Sequence, residues 1–296
     1  MSGNGPLGPS DELLVHQYAD TFATVSQSDL SWTEKVCAMA AARDGSMQLG
    51  FGLGKYVNRD VIDAYGGVAV GNENRVVRAS RQLAPEFEST AVGPLTYEIV
   101  EPMQAVRFAL EPTEHQPISY DVTFRAVLPA RLEGRDASRS PSGARVAADL
   151  TRYHQIGVAR GWVELEGRRI EVTPETWVMT RDHSWGVRPA VGAPLTDLQP
   201  DPMDAHPPRV LAVWNPLLFS APGAGPYAFM QYYLLYAGDG WRHEKVQGGF
   251  EFPDGRREPV ARIEPRLRFD ARNKRLQGGE FGLTMADGST RKMLAD

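Results

Sequence analysis

Short runs in which apolar and polar residues alternate dominate this chain. The clearest run lies between Trp162 and Val172, where Val163 and Leu165 alternate with glutamates before the pair Glu166-Gly167 interrupts the pattern. Alternation then resumes with Ile170 and Val172. Because side chains of a β-strand point to its two faces in turn, the pattern predicts a hairpin that turns at Glu166-Gly167.

Similar runs, rich in Val, Ile, Tyr, Phe and Trp, recur along the whole chain. Gly, Pro, Asn or Asp separates them at the short intervals that antiparallel hairpins require. Predicted strands in the first half cover residues 47–53, 68–70, 95–100, 105–110, 119–128, 157–166, 168–172 and 176–179. In the second half they cover residues 210–214, 228–236, 248–252, 260–263, 267–270, 279–285 and 291–294. Many short strands without a sustained helical period predict an all-β barrel or sandwich.

Three segments depart from this pattern. Residues 31–42 begin with Ser31-Trp32-Thr33-Glu34, a capping-box arrangement that favours a short helix, with an irregular strand as the alternative. Residues 190–208 hold five prolines and predict a long loop. Residues 132–148 are rich in Arg, Ser, Gly and Pro, which predicts a hairpin tip or excursion from the sheet.

Composition excludes several classes of protein. Of the 296 residues, 42% are hydrophobic and 23% charged, which is typical of a globular protein. No apolar run approaches the roughly 20 residues of a membrane-spanning helix, and the polar N-terminus lacks a signal-peptide core. We therefore expect a soluble, cytoplasmic protein. The net charge of -5, with scattered basic residues, argues against a nucleic-acid partner.

The sequence contains no clear motif for a metal site or a phosphate-binding loop. Cys37 is the single cysteine, so neither an intrachain disulfide nor a cysteine zinc site can form. The histidines show no HxH or HExxH spacing, and we expect no metal and no cofactor. Gly50-Phe-Gly-Leu-Gly54 lacks the other parts of a dinucleotide-binding loop and is expected to mark strand bends.

Candidate chemistry concentrates in one run, Thr180 to Pro189, which combines Arg181, Asp182, His183, Trp185 and Arg188 around a glycine. Asp182 and His183 supply a carboxyl and an imidazole, the two groups that acid/base catalysis uses most. Neighbours on a strand point to opposite faces, so only one of the two can face a given cavity. We expect Asp182 to face the barrel interior beside Trp185, with His183 on the other face. Alternatively, Arg181, Asp182 and Arg188 form a buried ion-pair network with a structural role.

Weaker candidates lie on other predicted strands. His154 precedes the Gly157 strand and is a further catalytic candidate, although such a histidine is more often structural. Gln231 and Tyr233 alternate along a strand whose face could line a pocket or simply be core. Trp214 and Asn215 are predicted to end a strand at a turn, where the amide could orient a substrate or satisfy the turn.

The segment Gly157 to Gly167, followed by Arg181-Asp-His-Ser-Trp-Gly-Val-Arg188, resembles the lipocalin-like proteins grouped with carotenoid 1,2-hydratase and the AttH proteins. Val92 to Glu98 and Glu101 to Phe108 also resemble the first half of that group. The resemblance extends from about Trp32 to Met285, and its specific parts are the glycine-rich hairpin and the Arg181–Arg188 run.

The resemblance implies two lipocalin-like antiparallel β-barrels in tandem, or a barrel plus a partial barrel, with a ligand cavity in or between them. We place the first domain at residues 1–180 and the second at 181–296. The second half is short for a full barrel, which suggests an incomplete barrel or an edge covered by another chain in a homodimer.

Two functional hypotheses follow from the resemblance and the acid/base run. The first is a cofactor-independent lyase of the hydratase, dehydratase or cyclase type, acting on an apolar terpenoid, steroid-like or aromatic compound. In it Asp182, His183 and His154 are the catalytic candidates. The residues expected to bind substrate are Arg181, Trp185, Arg188, Trp214, Asn215, Gln231 and Tyr233. The second hypothesis is a non-catalytic carrier of a hydrophobic small molecule, which the same cavity would serve.

Overall fold

A computed structural model describes residues 24–140, 143–189, 207–221 and 225–295, with the separate residues 10, 14, 19, 21, 22, 191, 192, 199 and 223. These residues contain no α-helix; a short 3-10 turn occurs at Val57–Arg59. Most of the 190–208 segment, predicted to be a loop, lies outside the described residues. No helix in the described parts is long and apolar enough to cross a membrane.

The chain divides into two compact units. The first comprises Met1–Ala126 and Ala130–Asp197, and the second comprises Val127–Pro129 and Leu198–Asp296. The predicted domain boundary at residues 180/181 therefore falls inside the first unit, in the middle of the strand Trp177–Val187. A boundary there would cut a strand that is hydrogen-bonded on both sides.

The first unit is a thirteen-stranded antiparallel sheet that curls into a nearly closed barrel. Its first eight strands are β1 (Trp32–Ala42), β2 (Gln48–Tyr56), β3 (Val61–Val70), β4 (Glu73–Gln82), β5 (Ala91–Val92), β6 (Leu95–Glu101), β7 (Ala105–Leu110) and β8 (Ile118–Ala126). The remaining five are β9 (Arg131–Leu132), β10 (Asp136–Arg139), β11 (Val146–Leu165), β12 (Arg168–Val172) and β13 (Trp177–Val187). Ten of them follow the order β4-β3-β2-β1-β13-β11-β8-β7-β6-β5.

A side chain connects β4 and β5, the first and last strands in this order. Arg81 of β4 donates hydrogen bonds to the carbonyl oxygens of Ser89 and Ala91, each at 2.9 Å. Inside the curled sheet, buried Val, Leu, Ile and Phe side chains form one core. The space left among them beside Phe51, Phe108 and Tyr120 is only about 10 Å³, too small for an organic ligand.

Two local predictions have clear outcomes. The hairpin at Glu166-Gly167 is confirmed: Leu165 pairs with Arg168, and both turn residues have positive φ (54° and 76°), as a type I′ turn needs. The helix favoured for residues 31–42 is wrong, because this segment is β1. Val36, Ala38 and Ala40 alternate into the core, and that burial outweighs the local capping signal.

The second unit is a six-stranded antiparallel meander that forms a half-barrel. Its strands are β14 (Arg209–Ala221), β15 (Gly225–Gly238), β16 (Trp241–Glu251), β17 (Arg257–Phe269), β18 (Leu276–Met285) and β19 (Thr290–Ala295). Phe229, Ile263 and Phe281 lie in its core. The all-β prediction is confirmed, in its form of a barrel followed by a partial barrel.

Candidate functional site

Strand β13 carries the run from Arg181 to Val187, with Arg188 directly after it, and divides the run between the two faces of the first unit's sheet. Arg181 and His183 lie opposite Ala38 and Val36 of β1, which are core residues. Asp182 lies opposite Cys37 and therefore points to the other face. We call the face that packs on the core the inner face, and the opposite one the outer face.

The inner-face residues of the run form a hydrogen-bonded cluster. Arg181 is 3% exposed, and its guanidinium donates to Oε1 of Gln155 at 2.6 and 3.0 Å and to the Tyr153 hydroxyl at 3.1 Å. His183 lies between Glu34, at 2.7 Å, and the Tyr153 hydroxyl, at 3.3 Å. The rings of Trp185 and His183 pack edge to face, with their centres 5.4 Å apart.

This arrangement corrects two expectations. Asp182 was predicted to share the barrel interior with Trp185, and this is wrong. Residues three positions apart on a regular strand point to opposite faces, and β13 has no bulge to change that. The proposed network of Arg181, Asp182 and Arg188 is also not formed, because Arg181 is bonded to neutral groups and Asp182 pairs with Arg152.

On the outer face, five adjacent strands present two rows of directly opposed residues. The strands run in the order β13, β1, β2, β3 and β4. The first row is Asp182, Cys37, Gly52, Tyr65 and Arg78, and the second is Ser184, Lys35, Gly54, Asp63 and Ser80. Each row has a glycine at its centre, so β2 contributes no side chain of its own to either row. The rows line a cleft of about 620 Å³, to which Tyr56 and Arg188 also contribute.

The glycines of β2 are needed for the shape of this cleft. A Cβ at Gly52 would lie 2.2 Å from Cε1 of Tyr65, and one at Gly54 would lie 2.5 Å from the Tyr56 hydroxyl. The two tyrosine side chains therefore occupy space that any other residue on β2 would fill. The expectation that Gly50 to Gly54 marks strand bends is wrong, since β2 pairs regularly with both neighbours across this segment.

Asp182 lies at one end of the cleft, with its side chain 14% exposed. Burial raises the pKa of its carboxyl to about 6, and this effect outweighs the attraction of Arg152, whose Nε lies 3.4 Å from Oδ2. Nearby Glu133 raises the pKa of Asp182 further, while Arg188 and His183 lower it. A carboxyl of this kind exchanges its proton close to neutral pH.

The other hydrogen-bonding groups of the cleft are held mainly as proton donors. Burial, and then the charge of Asp182, raise the pKa of the Cys37 thiol, whose Sγ lies 3.7 Å from the Tyr65 hydroxyl. Burial likewise raises the pKa of Tyr65, and it raises that of Tyr56 to about 12. The Tyr56 hydroxyl donates to the Asp63 carboxylate at 3.2 Å. Asp182 is therefore the cleft residue best suited to give and take a proton.

His154 lies directly opposite Asp182 on β11, and it is 2% exposed. Its Nδ1 is 3.0 Å from Oε1 of Glu133, and it does not line the cleft. Arg152, two residues earlier, lies 3.5 Å from Glu133 as well as close to Asp182. Glu133, Arg152 and His154 therefore form the surroundings of Asp182.

The remaining candidates lie in the second unit. Trp214 and Asn215 lie in the middle of β14 and pair with Tyr232 and Gln231, so the predicted strand end is wrong. Tyr233 is core, and its hydroxyl donates to Glu244 at 2.5 Å. Gln231 is fully buried, and neither amide atom has a partner among the described residues. These four residues and the cleft thus belong to different units.

Sequence reasoning missed most of the cleft: Lys35, Cys37, Tyr56, Asp63, Tyr65 and Arg78 were not candidates. One signal was available. Glycine at every second position from Gly50 to Gly54 removes all side chains from one face of a strand, and such a face is normally covered by something else. No group of three or more His, Cys, Asp or Glu in the described ranges is placed to hold a metal ion.

Comparisons with known proteins show similarity to solved structures and to one family model. The crystal structure of kievitone hydratase from Nectria haematococca matches with a TM-score of 0.49 and 11% sequence identity, over 97% of this chain and 81% of that chain. No curated protein is significantly similar to the chain. The family model of a family of unknown function, DUF8625, matches residues 7–291. Because that match covers nearly the whole sequence, the chain belongs to the DUF8625 family.

Proposed function

We propose that the cleft binds a small organic molecule and that Asp182 acts on it as a general acid and base. The reaction class is a cofactor-independent lyase reaction of the hydratase or dehydratase type, or a related cyclisation. The observation that carries the proposal is the Asp182 carboxyl itself, buried at one end of the cleft with its pKa raised to about 6. Perturbed carboxyls in clefts are typical of catalytic acids.

The step that this site would perform can be written for hydration. The protonated Asp182 carboxyl donates its proton to one carbon of a double bond, while the oxygen of a water molecule bonds to the other carbon. The carboxylate then accepts a proton from that water, which restores the acid. One C=C π bond is lost and one C–H and one C–O bond form. Dehydration is the same sequence in reverse.

Arg152 fits this role as a positioning residue. Its Nε lies 3.4 Å from Asp182 Oδ2, close enough to orient the carboxyl, while burial still keeps the pKa of Asp182 high. Arg152 also lies 3.5 Å from Glu133, so its positive charge is divided between the Glu133 and Asp182 carboxyl groups. The motif resemblance to the proteins grouped with carotenoid 1,2-hydratase and AttH also supports a lyase. His183, on the inner face, is not part of this proposal.

In this proposal the ligand binds on the outer face of the sheet and not inside the barrel. A lipocalin-like carrier would hold its ligand inside the barrel. Among the core side chains beside Phe51, Phe108 and Tyr120, however, the free volume is only about 10 Å³. The cleft on the outer face has about 620 Å³, within the range usual for small-molecule sites. A cytoplasmic location and a homodimer stay predictions.

The test is a search for water addition by the intact protein. Wild-type protein is incubated with small-molecule extracts in heavy-oxygen water, and mass spectrometry detects products that have gained one labelled water. Asp182→Asn should lower the rate of product formation by at least roughly a hundredfold, the usual contribution of a general acid. Asp149→Asn, which changes a carboxylate that is paired with Arg135 outside the cleft, is the matched control.

Two results would contradict the proposal. An Asp182→Asn variant that forms labelled product at the wild-type rate removes the acid role. A wild-type protein that retains a ligand from the extract, but never forms a labelled, dehydrated or cyclised product from it, is instead the carrier of the second hypothesis.

A further inference from the structure

We infer that the cleft contains an anion subsite formed by Lys35 and Arg188, and that it binds the carboxylate group of an organic acid. The inference rests on the proposed function and names its substrate class. It replaces the wholly apolar substrate expected from the sequence.

Lys35 and Arg188 line the cleft together with Asp63 and Asp182, but neither cation has a carboxylate oxygen of the described residues within ion-pair distance. Lys35 Nζ lies 5.3 Å from the centre of the Tyr56 ring, and no carboxylate oxygen of the described residues is within 4.0 Å of it. Arg188 donates from Nη2 to the Ser184 hydroxyl, while its Nε is buried with no partner among the described residues. A buried donor without a partner is costly, and a turn of the Arg188 side chain that brings its Nε to a ligand oxygen would remove that cost.

The two cations are also close enough to disfavour each other. Burial lowers the pKa of Lys35, and the charge of Arg188 lowers it further, against the attraction of Asp63. Burial and the charge of Arg152 lower the pKa of Arg188, against the attraction of Asp182. An anion bound between Lys35 and Arg188 would relieve this repulsion and favour both charged forms.

The charge of the cleft favours a single negative charge. Three cations, Lys35, Arg78 and Arg188, line it against two carboxyl groups, Asp63 and Asp182. The chain as a whole carries -5, so this positive excess is local. Asp63 already accepts from Tyr56. A dianion such as phosphate would meet the Asp182 carboxylate whenever that group is ionised, whereas a carboxylate matches the small excess.

A carboxylate also fits the proposed chemistry. When water adds to a double bond conjugated with a carboxylate, its oxygen bonds to the β carbon and negative charge moves toward the carboxylate oxygens. Lys35 and Arg188 would stabilise that charge, Asp182 would give its proton to the α carbon, and the added water would return a proton to Asp182. The two cations would then act on the carboxylate and the acid on the adjacent α carbon of the same conjugated unit, while water adds at its far end.

The experiment compares two probes of nearly equal shape, cinnamate and cinnamamide, by isothermal titration calorimetry at pH 7. Wild-type protein should bind cinnamate more than about tenfold tighter than the neutral amide, as expected for charge-assisted hydrogen bonds. Lys35→Met and Arg188→Met should each remove most of that preference, while Lys35→Arg should keep it. Lys55→Met is the matched control, since Lys55 does not line the cleft.

The outcomes separate this inference from the proposed function. Asp182→Asn should keep or strengthen cinnamate binding, because it removes a negative charge, even though it should lose turnover. A failure of Asp182→Asn to lose turnover would therefore overturn the acid role and leave the subsite intact. Equal binding of the two probes, no binding of cinnamate at millimolar concentration, an unchanged preference in Lys35→Met, or phosphate binding tighter than cinnamate would overturn the subsite.

Discussion

Asp182 differs from the surface carboxylates of this protein in the balance of burial and partners. Asp149, Glu258 and Glu280 are half-buried and accept hydrogen bonds from arginine or lysine, which hold their pKa values below the ordinary range. At Asp182 the loss of water outweighs a single arginine at 3.4 Å. The ionised form of the Asp182 carboxyl therefore destabilises the folded protein. Such destabilising groups are common at functional sites.

This balance predicts a pH-dependent difference in stability between the wild-type protein and Asp182→Asn. A folded-state pKa of about 6, above the ordinary 3.8, favours folding most below pH 4, and that contribution is lost as the pH rises through 6. Asparagine does not titrate. Between pH 4 and pH 8 the free energy of unfolding should shift in favour of the variant by roughly 2–3 kcal/mol.

Urea unfolding of both proteins at the two pH values measures this shift directly. The comparison uses differences only, so any constant effect of the substitution cancels. Arg152 keeps Glu133 as a carboxylate neighbour in the variant, which limits the other consequences of the change. A difference between the two proteins that stays the same from pH 4 to pH 8 would contradict the raised pKa.

At the level of strands, the cleft depends on alternation in β2. Gly50, Gly52 and Gly54 share the outer face, and Phe51 and Leu53 between them are core. The inner face of this strand was predictable from its apolar residues. The outer cleft was not predictable, because it depends on how five strands pair with one another. That pairing brings residues that are far apart in the sequence, such as Lys35 and Ser184, into the same row. Such long-range pairing is not encoded in a local pattern.

Gly52→Ala and Gly50→Ala form a matched pair that tests this architecture. A Cβ at Gly52 would meet Tyr65 at 2.2 Å and displace its ring, whereas one at Gly50 would make an ordinary contact with Tyr65 at 3.8 Å. We expect Gly52→Ala to lower the rate of labelled-product formation roughly tenfold or more, since small displacements in a site have large effects. Gly50→Ala should stay near the wild-type rate. Equal rates in the two variants would show that Tyr65 does not shape the site.

Strand β15 offers a second test, on Gln231. Its buried amide lacks a partner among the described residues, whereas its neighbours in the same face, Phe229 and Tyr233, are core. Methionine has similar volume and no unsatisfied donor, so Gln231→Met should raise the free energy of unfolding by about 1 kcal/mol. Thermal or urea unfolding measures this. A loss of stability would instead show that the Gln231 amide is hydrogen-bonded within the protein in solution.

For the whole molecule, the alternation summed over many strands predicted the all-β class, and the resemblance implied two barrels or a barrel plus a partial barrel, of which the structure shows the second form. The sequence did not locate the division between units, because residues 177–187 complete the first sheet between β1 and β11 rather than starting the second. The resemblance implied a ligand cavity in or between the barrels, and inside the first unit the core leaves about 10 Å³ beside Phe51, Phe108 and Tyr120. Core filling depends on packing, which a sequence pattern does not specify.

The central claim is that this protein carries a proton donor for catalysis at Asp182. The most direct measurement is a carbon NMR titration of the aspartate carboxyl groups in the intact protein, with Asp182→Asn used to assign the Asp182 signal. The structure predicts that this signal titrates with a pKa of about 6, well apart from the exposed aspartates. A pKa at or below the ordinary 3.8 would mean that Asp182 is a structural carboxylate, and the proposed acid/base role would be wrong.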